Sequence, residues 1–427
     1  MLFNDTGIFL PDTNTRVLTS NGGYRCCTVP NFRLYFVSFI LIIFMGPVLY
    51  AVPYLSMSFR KKEMTSPEVF IDVRPSYDWK NKSTYDNTVN WKSIHYYNPP
   101  GWLKTDLFNS CDHPCYLTTG KHISQLDKDT AIIFHAPDIM TFPQEKPLGQ
   151  IWIFHSMESP KNHHNVWASW EYLFNWTLGY RRDADIFSPY SMFVTKKRNS
   201  SLFDMKRKQQ TTAYDITSKA WKAKLNDAVW FVSKCKTSSM RQQYGLRLGR
   251  YIDIDTFGEC GKFLCWRRLK SLCEKFMKKW YKFYLSFENS LCKDYITEKS
   301  FNLYSHNTDL IPVTRSGANV SLYLPTGSYV TTSNFVSIQS LGSHLNTISS
   351  DYDLFSNYFK WKRFYTSKDM IDSEDAFCEL CRRLHVADHS TKYHRLYGSI
   401  HAWLVGSVNS PMCTDTVTDI FNITSHA

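Results

Sequence analysis

Residues 283–299 read FYLSFENSLCKDYITEK, and no other stretch limits the fold as much. Phe283 to Phe287 form a short, mostly apolar run with the length of a buried strand. A polar loop with Glu288, Asn289 and Asp294 follows, and Tyr295, Thr297, Glu298 and Lys299 open a helical stretch. A strand ending in a polar loop at a helix N-terminus is a building unit of α/β folds. Free N–H groups and the positive end of the helix dipole suit that point to an anion. A lysine beside it suits a diphosphate.

The same alternation recurs along the chain. AIIFHA (131–136) and IWIFHS (151–156) form one block of strands separated by polar stretches. AVWFVS (228–233), YIDIDTFG (251–258), the Phe283 strand and LIPVT (310–314) form a second. Strands spaced by helical stretches predict parallel sheets with crossovers. A chain of 427 residues holds roughly two to three domains. The expected fold class is therefore α/β, with two Rossmann-like lobes facing a cleft. The expected boundaries are a tail at 1–33, an apolar segment at 34–55, a stem at 56–90, a first lobe at 91–225, a second lobe at 226–365 and a C-terminal extension at 366–427.

Residues 34–55, LYFVSFILIIFMGPVLYAVPYL, carry no charge and match the roughly 20 residues that span a bilayer. The run is too long and starts too late for a cleaved signal peptide, so a signal anchor is expected. Arg16, Arg25 and Arg33 before it nearly balance Arg60, Lys61 and Lys62 after it, so charge does not orient it. Sequons at Asn81, Asn175, Asn199, Asn319 and Asn422, and ten of the twelve cysteines, lie beyond the span. Both features favour a lumenal C-terminal side. The formal charge of +12 admits nucleic acid, a membrane surface or an anionic nucleotide-sugar as partner. With no zinc-finger or RNA-binding motif, nucleic acid is set aside. His155, His163 and His164 lack a recognised metal spacing, so no metal site is assigned to them.

The FEN run with its downstream Y-x-TEK resembles the donor-binding signature of the α1,3/4-fucosyltransferases, glycosyltransferase family 10. The resemblance extends over roughly residues 120–390. It implies that Asn289, Tyr295, Glu298 and Lys299 bind GDP-fucose, with Lys299 neutralising phosphate charge. In HSMESPKNHH (155–164) the family's glutamate matches Glu158, which the resemblance makes the general base. In FVSKCKTSSMRQQYG (231–245), Arg241 and Tyr244 match donor-site residues, while Lys234 replaces the expected asparagine. YRRDADIFSPY (180–190) is similar to a family segment, and Arg181, Arg182, Asp183 and Asp185 are read as an ion network rather than a compulsory metal site. NTDLIPVTRSG (307–317) departs from the family's glycine-rich turn, so the loop beneath the nucleotide is expected to differ. The family's C-terminal CxxC matches Cys378 and Cys381, which implies that these two form a structural disulfide, and Cys111 and Cys115 offer a second local pair.

These matches imply inverting transfer of L-fucose from GDP-β-L-fucose to the 3-OH of N-acetylglucosamine, in glycoprotein or glycolipid glycans. They imply no required cofactor, with a divalent cation at most stimulatory. The expected setting is the Golgi membrane, single-pass type II, with a lumenal catalytic part. Two alternatives stay open. One is a core-type enzyme acting on the innermost GlcNAc of N-glycans, suggested by Cys235 and the CGK run at 260–262. The other is an inactive membrane-anchored glycan-binding protein, suggested by Lys234 and the altered glycine turn.

Overall fold

The alternating strands build two parallel sheets. The computed structural model describes residues 90–104, 106–123, 126–139, 145–163, 170–196, 216–263, 265, 270–370, 374–387 and 395–414. The expected anchor at 34–55 lies outside them; among the described residues no helix is long and apolar enough to cross a membrane.

The first sheet contains β1 (Lys92–Tyr96), β2 (Cys115–Thr119), β3 (Ala131–His135), β4 (Trp152–Ser156), β5 (Trp176–Gly179) and β6 (Ile186–Phe187), in the order β2-β1-β3-β4-β5-β6. Every neighbouring pair is parallel. β3 and β4 are buried at every position, which is why they read as unbroken apolar runs rather than alternating ones. Strand β7 (Ser191–Thr195) leaves this sheet.

The second sheet contains β8 (Asn226–Phe231), β9 (Ile254–Phe257), β10 (Tyr281–Phe287), β11 (Ile311–Arg315) and β12 (Val330–Thr331), in the order β12-β11-β10-β8-β9. It too is parallel throughout. Its helices include α1 (Arg241–Leu248), α2 (Lys270–Trp280), α3 (Glu298–Ser305) and α4 (Ile338–Ser350). A reciprocal Ser337–Ser340 capping box starts α4. Leu341, Leu345 and Ile348 of α4 then pack with Phe283, Leu285 and Val313. The other face of the sheet shares an apolar cluster with the first half of the chain, where Met157, Tyr180 and Tyr190 meet Tyr295, Ile296 and Phe301.

The chain then returns to its first lobe. β13 (Tyr365–Asp369) pairs antiparallel with β7. Helix α5 (Asp375–Ala387) sets Phe377, Leu380 and Leu384 against Ile94, Leu117 and Ile133. Helix α6 (Ile400–Val405) packs Ile400 and Leu404 with Phe134, Trp152 and Phe154. The stretch read from sequence as a C-terminal extension thus covers the first sheet.

The cysteine pairing corrects the expected local bridges. Cys378 bonds to Cys111 and Cys381 to Cys115, not each to its near neighbour. Three residues apart on one helix, the two sulfurs share a face, and that face meets Cys111 and the first residue of β2. The remaining cysteines among the described residues form Cys235–Cys260, Cys265–Cys273 and Cys292–Cys413.

Candidate active site

Parallel sheets hold ligands outside the carboxyl ends of their strands, where the strand order reverses. In the second sheet that point lies between β8 and β10. The loops leaving these strands, 232–240 and 288–297, are laced together. Ser239 N–H donates to the Asn289 carbonyl at 3.0 Å, its hydroxyl donates to the Glu288 carbonyl at 2.6 Å, and the Ser238 hydroxyl donates to the Asn289 carbonyl at 3.2 Å.

Arg241 opens α1 just beyond the first loop and is 4% exposed. Its Nη1 donates to the Phe287 carbonyl at 2.9 Å and its Nη2 to the Lys234 carbonyl at 3.2 Å. Among the described residues Nε has no hydrogen-bond partner and Arg241 makes no ion pair. Burial lowers its pKa, opposed by the field of Glu288. A buried guanidinium held only by neutral carbonyls is costly unless an anion completes it. Asn289 Oδ1, in the adjoining 288–297 loop, is also buried without a partner among the described residues.

The helix N-terminus expected to be open to an anion is filled from within. Glu288, fully buried, accepts from Thr297 N–H at 2.8 Å and from the Thr297 hydroxyl at 2.9 Å. Lys299 Nζ lies 3.1 Å from Glu288 Oε2 and 3.0 Å from Glu298 Oε1. Desolvation disfavours the Lys299 charge, yet the two carboxylates hold its pKa above the ordinary value. Burial raises the Glu288 pKa, and Lys299 pulls it back. The sequence offered Lys299 as a free cation, whereas the fold uses it to compensate a buried carboxylate. The Tyr244 ring is buried edge-on to Phe287, with the Arg315 guanidinium 4.6 Å above it.

From the other sheet, β4 ends at Ser156 and delivers Glu158 two residues on, half-buried. Gly179 of β5 lies beside that strand end; a Cβ there would come within 2.2 Å of the Ser156 carbonyl oxygen, so only glycine fits. Glu158 Oε2 accepts from Tyr295 OH at 3.1 Å and from Asn162 Nδ2 at 3.0 Å. Among the described residues Oε1 accepts nothing. Tyr295, expected on the donor alone, thus reaches the carboxylate of the opposite lobe. Ser159 OH donates to Ser290 Oγ at 2.8 Å, a second bond between the lobes. Lys234 is exposed, and its Nζ donates to Asn162 Oδ1 at 3.0 Å. Glu298, half exposed, faces Lys299.

The aspartates of the DxD pattern are internally engaged. Asp183 takes Arg181 at 2.6 Å and stands 3.7 Å from Lys293 of the second lobe. Asp185 accepts from Thr177 N–H at 2.9 Å, Tyr397 OH at 2.8 Å and Arg395 at 2.6 Å. Gly317, displaced from the expected turn, is placed where a Cβ would come within 2.4 Å of the Leu291 backbone, so the altered turn still packs tightly under the 288–297 loop. His155 Nδ1 meets Tyr96 OH at 2.5 Å and His163 Nε2 meets Ser156 Oγ at 2.7 Å; His164 lies outside the described residues. Of the sequons, Asn319 is exposed. Asn175 is half-buried, bonded to Trp152 N–H, Lys146 and the Arg395 carbonyl. Asn81, Asn199 and Asn422 lie outside the described residues.

Asn162, Ser159 and Ser290 were not singled out from sequence. The one available signal was proximity: Asn162 follows Glu158 by four residues, across a proline turn at Pro160–Asn162.

Both halves of the chain match known protein families. Residues 86–191 match the pattern "Fucosyltransferase, N-terminal" and residues 221–403 match "Glycosyltransferase family 10 (fucosyltransferase) C-term". The chain is 33% identical to Alpha-(1,3)-fucosyltransferase C of Drosophila melanogaster over 65% of each chain, so it spans just under two thirds of that relative. It is 31% identical to 4-galactosyl-N-acetylglucosaminide 3-alpha-L-fucosyltransferase 9 of Mus musculus, over 68% of this chain and 74% of that one. The likeness to a solved alpha1,3-fucosyltransferase with GDP-fucose is weak, with TM-score 0.44 and 12% identity over 71% of this chain and 93% of that one. With matches in both halves and a relative covered over most of its length, the chain belongs to glycosyltransferase family 10, the fucosyltransferases.

Proposed function

We propose that the protein transfers L-fucose from GDP-β-L-fucose to the 3-OH of N-acetylglucosamine in a glycan, with inversion, between lobes of GT-B type. The observation that carries this reading is Arg241, a buried cation without an anionic partner among the described residues, at the strand-order switch of the second sheet. Such a group fits a diphosphate, which it binds bidentately and stabilises as it leaves.

Glu158 supplies the base. Tyr295 and Asn162 both donate to Oε2, which leaves Oε1 to take the proton of the acceptor hydroxyl. As that proton moves, the hydroxyl oxygen bonds to the fucose anomeric carbon from the face opposite GDP. The bond from that carbon to the β-phosphate oxygen breaks, and its electron pair leaves on the diphosphate. Asn289, with its buried and unpartnered Oδ1, is suited to a donor hydroxyl. The names of both relatives carry a 3-linkage, and that of the Mus musculus relative carries a 4-galactosyl-N-acetylglucosaminide acceptor, which supports this linkage and acceptor class.

Residues 34–55 are proposed as a type II anchor in the Golgi membrane, with the catalytic part lumenal. Five disulfides among the described residues fit an oxidising compartment, and the exposed Asn319 fits glycan attachment there. A mobility shift on enzymatic N-glycan removal is the expected result, and no shift contradicts the topology.

The activity is tested by incubating the full chain with GDP-fucose and a panel of acceptors: an N-acetyllactosamine antenna, the N-glycan core, and neither. Fucosylated antenna supports the reading, and fucosylated core alone moves the enzyme to the core type. Tight GDP binding without transfer to any acceptor rejects catalysis.

A further inference from the structure

We infer that Asn162 and Lys234 form a positioning relay that ties the setting of Glu158 to the loop carrying Arg241. The inference rests on the reading of Glu158 as base and deepens it.

The geometry is a continuous chain of bonds across the two lobes. Lys234 Nζ donates to Asn162 Oδ1 at 3.0 Å, and Asn162 Nδ2 donates to Glu158 Oε2 at 3.0 Å. An amide that accepts from a cation on its oxygen is polarised, and its N–H becomes a stronger donor. The lysine charge is thereby delivered to the carboxylate without an ion pair, which would compete with the carboxylate's role as a base. Because the donated bond lands on Oε2, beside that of Tyr295, the carboxylate is held from two sides with Oε1 turned away.

Both ends of the relay are fixed to the backbone. Asn162 closes the turn Pro160–Asn162, with its N–H on the Ser159 carbonyl at 2.9 Å. The carbonyl of Lys234 accepts from Arg241 Nη2 at 3.2 Å, and the next residue, Cys235, is bonded to Cys260. One guanidinium therefore holds the backbone of both Lys234 and Phe287. The loop that places Lys234 against Asn162 is therefore held by the same guanidinium proposed to bind the donor, so base and donor site share one anchor. Lysine suits this position because its long stem reaches the opposite lobe; the shorter asparagine of the family pattern lacks that reach.

The test compares Asn162→Ala, Lys234→Met, Lys234→Arg and the Asn162→Ala/Lys234→Met double variant, with Glu158→Gln measured in parallel. Fucosyl transfer and GDP affinity are read on the same full-chain preparations. Relay action predicts that kcat falls about tenfold in Asn162→Ala and Lys234→Met, the order expected for one hydrogen bond to a charged group. GDP affinity and the KM for GDP-fucose should stay within about twofold, which also shows that the variants are folded, since a folding defect lowers both. The double variant should be no slower than the slower single, because both changes cut one chain. Lys234→Arg should recover most of the rate. Multiplied losses in the double variant, or a GDP affinity that falls in step with the rate in Lys234→Met, overturn the relay and make Lys234 a direct phosphate ligand. A collapsed Glu158→Gln beside normal singles rejects the relay and keeps the base. Near-normal Glu158→Gln rejects both.

Discussion

The hydroxyl of Tyr295 lies 3.1 Å from Oε2 of Glu158, although 137 residues separate them. One residue follows strand β10 of the second sheet and the other follows β4 of the first sheet. The bond therefore joins the two strand-end loops that carry the proposed base and the proposed donor-site residues.

Replacing Glu158 with glutamine keeps the shape and the bonds from Tyr295 and Asn162 but removes the basic site. Turnover should fall by about 10²–10⁴. GDP affinity should hardly change, since among the described residues Tyr295 is the one residue of the proposed donor loops hydrogen-bonded to Glu158. Transfer rate and GDP titration on one preparation decide this, and near-normal turnover would mean that the base lies elsewhere.

Arg241→Ala should weaken GDP binding by about 1.5–3 kcal/mol through loss of charged hydrogen bonds. The Phe287 and Lys234 carbonyls lose their donor as well, so Arg241→Lys is the companion variant; a single ammonium cannot reproduce the fork and should restore only part of the affinity. Unchanged GDP affinity in both variants would remove the phosphate assignment.

Lys299 carries a stability prediction that the sequence did not suggest. In Lys299→Met the buried Glu288 loses its cation, and the protein should lose about 3–5 kcal/mol at neutral pH. The folded-state pKa of Glu288 is already raised, burial being the largest cause, and it rises further in the variant. A protonated Glu288 needs no cation, so the deficit is full at neutral pH and shrinks as pH falls through the raised value toward the ordinary carboxylate range. Melting curves at pH 5 and 7.5 should show a smaller Tm gap from wild type at pH 5, and adding Glu288→Gln should close much of the gap at pH 7.5. Equal melting of Lys299→Met and wild type at pH 7.5 would exclude the compensating role.

Non-reducing peptide mapping should recover Cys111 linked to Cys378 and Cys115 linked to Cys381. Each bond closes more than 260 residues of chain, and losing one, as in Cys381→Ser, should cost about 2–5 kcal/mol of stability. A peptide containing a Cys378–Cys381 bridge would contradict the pairing.

While β1, β2, β5, β6 and β12 were not read, the central strands β3, β4, β8, β9, β10 and β11 and the loop-to-helix turn at Phe283–Lys299 were legible in the sequence, and Glu158 and Arg241 became candidates through the family resemblance. Each rests on local information: a short apolar run with polar flanks has few alternatives to a buried strand, and a motif keeps its spacing. The partners of those residues were not legible. Ten like cysteines carry no label for their mates, so the geometric fit of α5 against Cys111 and β2 decided the bridges. Nothing near Ser191–Thr195 announces its antiparallel partner at Tyr365–Asp369, and nothing in TEK shows that Glu288 already occupies the helix N-terminus. The Lys234–Asn162–Glu158 chain exists only where two sheets meet. Sequence periodicity fixes the elements because hydrogen bonding and burial act along neighbouring residues. Only close packing of distant segments determines which charge faces which, because that choice is made by side chains far apart in sequence that share one desolvated space.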